Sequence, residues 1–73
     1  MNDPINPLHY KQGNVECIDA IEAALGANEF VGYCLGNSMK YMWRYKHKDG
    51  VEDLRKAQWY LNRAIEHEER VEQ

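Results

Sequence analysis

Long apolar runs are missing from this chain of 73 residues. Nothing approaches the roughly 18 consecutive apolar residues of a membrane-spanning helix, and no basic start leads into an apolar stretch. The sequence therefore reads as a cytoplasmic protein with no membrane partner. Cysteine is scarce: Cys17 and Cys34 are too few for a disulfide scaffold. No ligands at zinc spacing accompany them. Both sit among apolar helical positions, which predicts buried free thiols and argues against Cys17 as a nucleophile. Proline is confined to Pro4 and Pro7, so no later helix is interrupted by one. There is no Gly-x-x-x-x-Gly-Lys-Ser/Thr phosphate loop, no Gly-x-Ser-x-Gly elbow, no repeat and no low-complexity segment. Positive charge is in deficit, with a net charge of −3, which argues against nonspecific DNA binding.

Aromatic hydroxyls and indoles, by contrast, are plentiful. Five tyrosines and two tryptophans are more than one small core easily hides, and both residue types are enriched at interfaces. A single domain of this size buries only about 60% of its unfolded surface. Self-association would relieve that shortage, so a homo-oligomer is expected. The hydrophobic fraction of 44% is ordinary for a globular chain. Charge is segregated: the charges of residues 16–29 are all acidic, those of residues 40–48 all basic, and the last eight residues set Glu66, Glu68, Glu69 and Glu72 against Arg70 alone. Such blocks suit head-to-tail helix packing or complementary contacts between subunits.

Hydrophobic spacing predicts an all-α fold of three helices behind an irregular N-terminal arm, residues 1–13, with residues 14–73 as one helical domain. Ile5, Leu8 and Tyr10 are too apolar for a free tail. Asn14 can cap a first helix from Val15 to about Leu25, with Val15, Ile18, Ile21 and Leu25 as its stripe and Gly26 as its stop. Asn28 can cap a second, from Glu29 to about His47, whose apolar residues cover more than one side. Gly32 and Gly36 inside it imply a close approach to its backbone or a local break. Asp49 and Glu52 resemble a capping box for a third helix, from about Val51 to Glu69. Leu54, Ala57, Leu61, Ala64 and Ile65 form its expected core stripe, and Glu52–Lys56 is an i,i+4 pair.

The most informative stretch is 36–45. Asn37, Lys40 and Arg44 fall at i, i+3 and i+7, on one helical face, with Tyr41, Tyr45 and Tyr33 at its rim. Two cations and an amide among aromatics suit an anionic, aromatic ligand such as a nucleotide. A solvated basic face with snorkelling tyrosines has the same spacing. His9-Tyr10-Lys11, on an arm that folds back, would complete an anion site, though His9 could equally be structural or face solvent. Two acidic clusters, Glu16/Asp19/Glu22 and Asp49/Glu52/Asp53, could hold Mg²⁺ against a pyrophosphate. Helix capping and dipole complementation explain the same residues.

Three blocks taken together resemble a known family: His9-Tyr10 with Glu16 to Glu22, Gly36-Asn37 through Lys40-Tyr41 to Trp43-Arg44, and Asp53-Leu54 through Lys56-Ala57 to Trp59-Tyr60-Leu61. This is a family of small phage-borne domains of formerly unknown function that includes a longer coliphage nucleotide kinase without a Walker motif. The resemblance covers residues 9–65. It implies a nucleotide-related role, an oligomer, and His9, Tyr10, Asn37, Lys40, Tyr41 and Arg44 as ligand contacts.

The resulting expectation is a phage nucleotide-binding oligomer that sequesters a nucleotide, or a cyclic or ADP-ribose-type messenger of host defence, without catalysis, cofactor or metal. The alternative is an enzyme, a nucleotide kinase or Mg²⁺-dependent phosphohydrolase. A third reading is an adaptor that inhibits a host protein through its aromatic surface.

Overall fold

Position 50 fixes the central turn of the molecule. Gly50 has a φ of +59°, a left-handed conformation that costs glycine nothing and other residues strain. It reverses the chain between two long helices that then pack antiparallel along their length. We describe this in a computed structural model, which describes residues 11–12 and 15–71. The expected His9, Tyr10 and N-terminal arm contacts lie outside the described residues, as do Gly13 and the Asn14 cap.

The order is β1 (Lys11–Gln12), β2 (Val15–Glu16), α1 (Cys17–Ala24), α2 (Ala27–Arg44), a 3-10 turn (Tyr45–His47) and α3 (Val51–Val71). The three expected helices are present. The first begins two residues later than the spacing implies. Val15 and Glu16 are extended instead and pair antiparallel with Gln12 and Lys11, and Glu16, at φ −78° and ψ 150°, is the N-cap. Leu25 is extended too, so α1 stops one residue early. Gly26, rather than Asn28, is the N-cap of α2, and the Phe30 N–H donates to its carbonyl at 2.8 Å. The last turn of the expected second helix tightens to 3-10. The Gly50 N–H then donates to the Tyr45 carbonyl at 2.9 Å, ending the element where Lys46 and His47 sit favourably at a carbonyl end.

The core lies between α2 and α3, with α1 laid across one side. Ile18, Phe30, Cys34, Tyr41, Ala57, Tyr60 and Ala64 are buried. Ala57 and Ala64 let the two backbones approach, and Tyr60 fills the space between, stacked on Tyr41 with ring centroids 5.9 Å apart. Ser38, also buried, donates from Oγ to the Ala57 carbonyl at 2.8 Å, tying α2 to α3. Both cysteines are free; Cys34 is buried and Cys17 half-buried. Burial pushes the Cys34 thiol up, so it stays neutral.

The core stripe of α3 is rotated from expectation. Asp53, Ala57, Tyr60 and Ala64 face inward, while Leu54, Leu61 and Ile65 are exposed. On α2, Leu35, Met39 and Met42 are likewise exposed. Helix α2 runs unbroken through Gly32 and Gly36, and an added Cβ at either would meet open space. Neither the local break nor, within one chain, the close approach occurs. Among the described residues no helix is long and apolar enough to cross a membrane.

Candidate functional site

The site is built where α2 ends and α3 begins. An i, i+3, i+7 series on α2 brings Asn37, Lys40 and Arg44 to the side of the helix that also carries the edge of Tyr41. The start of α3 approaches the same side and adds Lys56. Three cations thereby surround one ring: Lys40 Nζ lies 4.4 Å from the Tyr41 centroid, Arg44 Cζ 4.9 Å and Lys56 Nζ 5.6 Å. The tyrosine π-face attracts each of them.

The three cations differ in their partners. Arg44 is engaged with Asp53, which is completely buried. Its Nε donates to Asp53 Oδ2 at 3.2 Å and its Nη2 to Oδ1 at 3.2 Å, a bidentate pair. Nη2 also lies 3.5 Å from Asp49. The Asp49 N–H donates to Asp53 Oδ2 at 3.1 Å, so the acid that reaches back to cap α3 is Asp53, not Glu52. Burial pulls the Asp53 carboxyl upward, but hydrogen bonds from Arg44 and the Asp49 amide, with the charges of Arg44 and Lys56, outweigh it and hold the group below its ordinary value. Hydrogen bonding to Asp53 in turn raises Arg44 above its usual range. Lys56 lies 3.8 Å from Asp49, in place of the expected pairing with Glu52. Lys40 is exposed and has no acidic partner among the described residues.

The expected contacts therefore take distinct roles. Lys40 is the open cation. Arg44 anchors the turn through three bonds to Asp53 and Asp49, all from Nε and Nη2, and keeps Nη1 outside them. Asn37 is half-buried and donates from Nδ2 to the Tyr33 carbonyl at 2.9 Å, an i−4 bond that orients its amide. Tyr41 is only 8% exposed and is covered by Tyr60 and the cations, so its ring is a platform for charge with little face left for a base. Tyr33 packs on Phe30 and Tyr60, and Tyr45 is half-buried.

Two residues escaped the sequence reading. Lys56 joins the cluster only because α3 folds back along α2, a relation that one-helix periodicity does not contain. Trp43 is 90% exposed, three residues after Lys40 on the same helix. It offers the open aromatic face that Tyr41 lacks. Its step of three from Lys40 on one helix was the available signal.

The acidic clusters do not converge. Asp19 and Glu22 lie at the far end of α3, where Arg63 donates to both and Glu22 also takes His67, at 2.7 Å, and Arg70. Burial raises the Glu22 carboxyl, and these donors more than reverse it, leaving it lowered. Asp49 and Asp53 sit about 20 Å away by the helical rise between residues 53 and 67. Each cluster is covered by cations, so the two cannot hold one metal ion within a protomer.

The sequence is similar to those of two phage proteins. The chain is 39% identical over 64 residues to the gene 1.7 protein of Enterobacteria phage T3, covering 81% of this chain and 39% of that one. It is 32% identical over 69 residues to the nucleotide kinase gp1.7 of Escherichia phage T7, covering 88% of this chain and 35% of the kinase. The chain thus spans little more than a third of these relatives. No solved structure matches it. Residues 5–62 match DUF3310, described as a protein of unknown function, and that stretch includes both α2 and the start of α3 that form the cation cluster. The chain belongs to the DUF3310 family.

Proposed function

We propose that this chain binds a nucleotide or a nucleotide-derived ligand, of the cyclic or ADP-ribose type, at the Lys40–Arg44–Lys56 cluster, and that it sequesters the ligand without turning it over. The observation that carries this is the gathering of three cations around Tyr41, with Lys40 left without an acid among the described residues. Lys40 and Lys56 would neutralise phosphate, with Arg44 Nη1 as a further donor. Asn37, its amide fixed by Tyr33, would read a polar edge, and Trp43 or Tyr45 would stack the base. His9 and Tyr10 would close over the ligand. No part of this scheme needs a metal or another cofactor. The phage origin of both relatives fits a protein acting in the cytoplasm of the infected host, as an oligomer that soaks up a host defence signal.

Native mass spectrometry of gently purified protein, then incubation with a panel of linear and cyclic nucleotides, tests the reading. An intact ligand at fixed stoichiometry is expected. Unchanged affinity in both Lys40→Ala and Lys56→Ala would end it. The T7 relative, named a nucleotide kinase, favours a second reading in which this chain is one too. That reading expects ligand conversion that stops with EDTA. In-line phosphoryl transfer needs two nucleotides and usually a metal, which a protomer of this size could assemble only between subunits.

A further inference from the structure

The α2–α3 hairpin has two sides. One is covered by α1 and ends in the cation cluster. The other bears Leu35, Met39 and Met42 from α2 and Val51, Leu54, Leu61 and Ile65 from α3, each between 39% and 65% exposed. Between the helices runs an open groove of about 510 Å³, lined among others by Ser38, Met42, Leu54, Gln58 and Leu61. Together the seven side chains leave on the order of 600 Å² of apolar surface in water, close to the roughly 800 Å² per partner of a standard protein interface.

We propose that this side is the interface with a second copy of the chain, in an antiparallel two-fold arrangement that makes a four-helix bundle from two α2–α3 hairpins. Three observations choose this occupant. The first is the spacing on α3. Val51, Leu54, Gln58, Leu61 and Ile65 alternate steps of three and four, the period of a helix seam that meets another helix lengthwise. Within the chain, α3 already meets α2 through a different stripe, Asp53, Ala57, Tyr60 and Ala64. The seam is thus a second, unused one.

The second observation is charge. The turn end of the hairpin carries Lys46, Lys48 and Arg55 against Glu52 and an Asp49 already paired with Arg44 and Lys56, and the far end carries Glu66, Glu68 and Glu69 against an Arg70 already paired with Glu22. A parallel pairing would set like charges together. An antiparallel one sets the basic end of each copy beside the acidic end of the other. The third is register. Arg55, Asn62 and Glu69 recur seven apart along the edge of the seam. A two-fold axis through residue 61, the midpoint of α3, puts Arg55 within two residues of the partner's Glu69, about 3 Å of helical rise. Neither Arg55 nor Glu69 has an ion-pair partner among the described residues. An isologous contact of this kind is self-complementary and closed. It leaves the cation cluster open on the opposite side, so it stands whether or not the ligand reading does.

Sedimentation equilibrium of the full chain tests it, with circular dichroism to follow folding. The wild type is expected to be a dimer, or an even multiple, in the micromolar range. Leu61→Glu, at an exposed position, is expected to keep full helicity and remain one dimerisation step smaller at about 100 μM. Arg55→Glu and Glu69→Arg should each weaken the dimer by about tenfold, and the double reversal should restore it. A wild type that stays monomeric at that concentration overturns the proposal. So does assembly indifferent to Leu61→Glu, or a monomer that uses this face only for a different protein. Charge reversals that add rather than compensate overturn the antiparallel arrangement. Nucleotide affinity of the Leu61→Glu protein, measured separately, reads the cation cluster independently.

Discussion

Lys40→Ala separates a ligand contact from a structural cation, because the two roles predict different magnitudes. Within the chain, Lys40 is exposed and its one described interaction is with the Tyr41 ring at 4.4 Å. An exposed cation–π contact contributes about 0.5–1 kcal/mol, so thermal stability should fall by no more than that. A charge-assisted bond to phosphate is worth about 1.5–3 kcal/mol. Losing it should weaken nucleotide binding by about 10- to 150-fold. Isothermal titration calorimetry at two salt concentrations, beside thermal melts, reads both quantities. The variant should also show a shallower dependence of affinity on salt, since one fewer fixed charge meets the phosphates. Affinity within about twofold of wild type, in a protein that melts normally, would refute the reasoning. A large drop in stability would refute it differently, by showing that Lys40 holds the fold.

Arg44→Ala should behave in the opposite way, losing stability first, because it strands the buried Asp53. In the wild type the lowered Asp53 contributes stability that is full above its unfolded value near 3.9 and is lost as pH falls through its lower folded value. In Arg44→Ala, burial without the guanidinium raises that carboxyl. Chemical denaturation from pH 7 to pH 4 should therefore show the gap to wild type narrowing as pH falls, and Asp53→Asn in the variant background should recover part of the loss at pH 7. Glu22 is lowered by donors from α3, so its contribution is present above about pH 4.3 and lost in acid. Glu22→Gln should be less stable at pH 7 and flatten the acid limb of the stability curve, as followed by circular dichroism. Ser38→Ala removes the Oγ bond to the Ala57 carbonyl and should cost about 0.5–1.5 kcal/mol in urea denaturation with an unchanged m-value. Phe30→Ala empties a site with no exposure, packed on Tyr33 and His67. At about 3–5 kcal/mol it should remove much of the stability of so small a domain, read by urea denaturation.

Helix number, the breaks near residues 25 and 49, and the membership of the basic stripe were legible in the chain itself. Each rests on short-range physics. Apolar spacing of three and four repeats along a single helix, Gly26 and the Asp49-to-Glu52 spacing mark helix ends, and Asn37, Lys40 and Arg44 share a face whatever lies beside them. Segregated charge was legible too, and it is what orients the proposed pairing of two copies.

Tertiary structure decided which stripe is core. Leu54, Leu61 and Ile65 are more apolar than Asp53, Ala57 and Tyr60, yet the latter face inward. Small alanines allow α2 and α3 to close, and Arg44 on the neighbouring helix supplies the charge that lets Asp53 be buried. That same pair turns Arg44 from the open cation of the sequence into a strut, and brings Lys56, 16 positions after Lys40 in sequence, to the same ring. Periodicity within one helix carries no information about the identity of the facing residue. Burial of a charge depends wholly on that identity, so the chain by itself determined where helices form and which side chains share a face, while the packing of α3 on α2 decided which of those faces is core and which cation stays open.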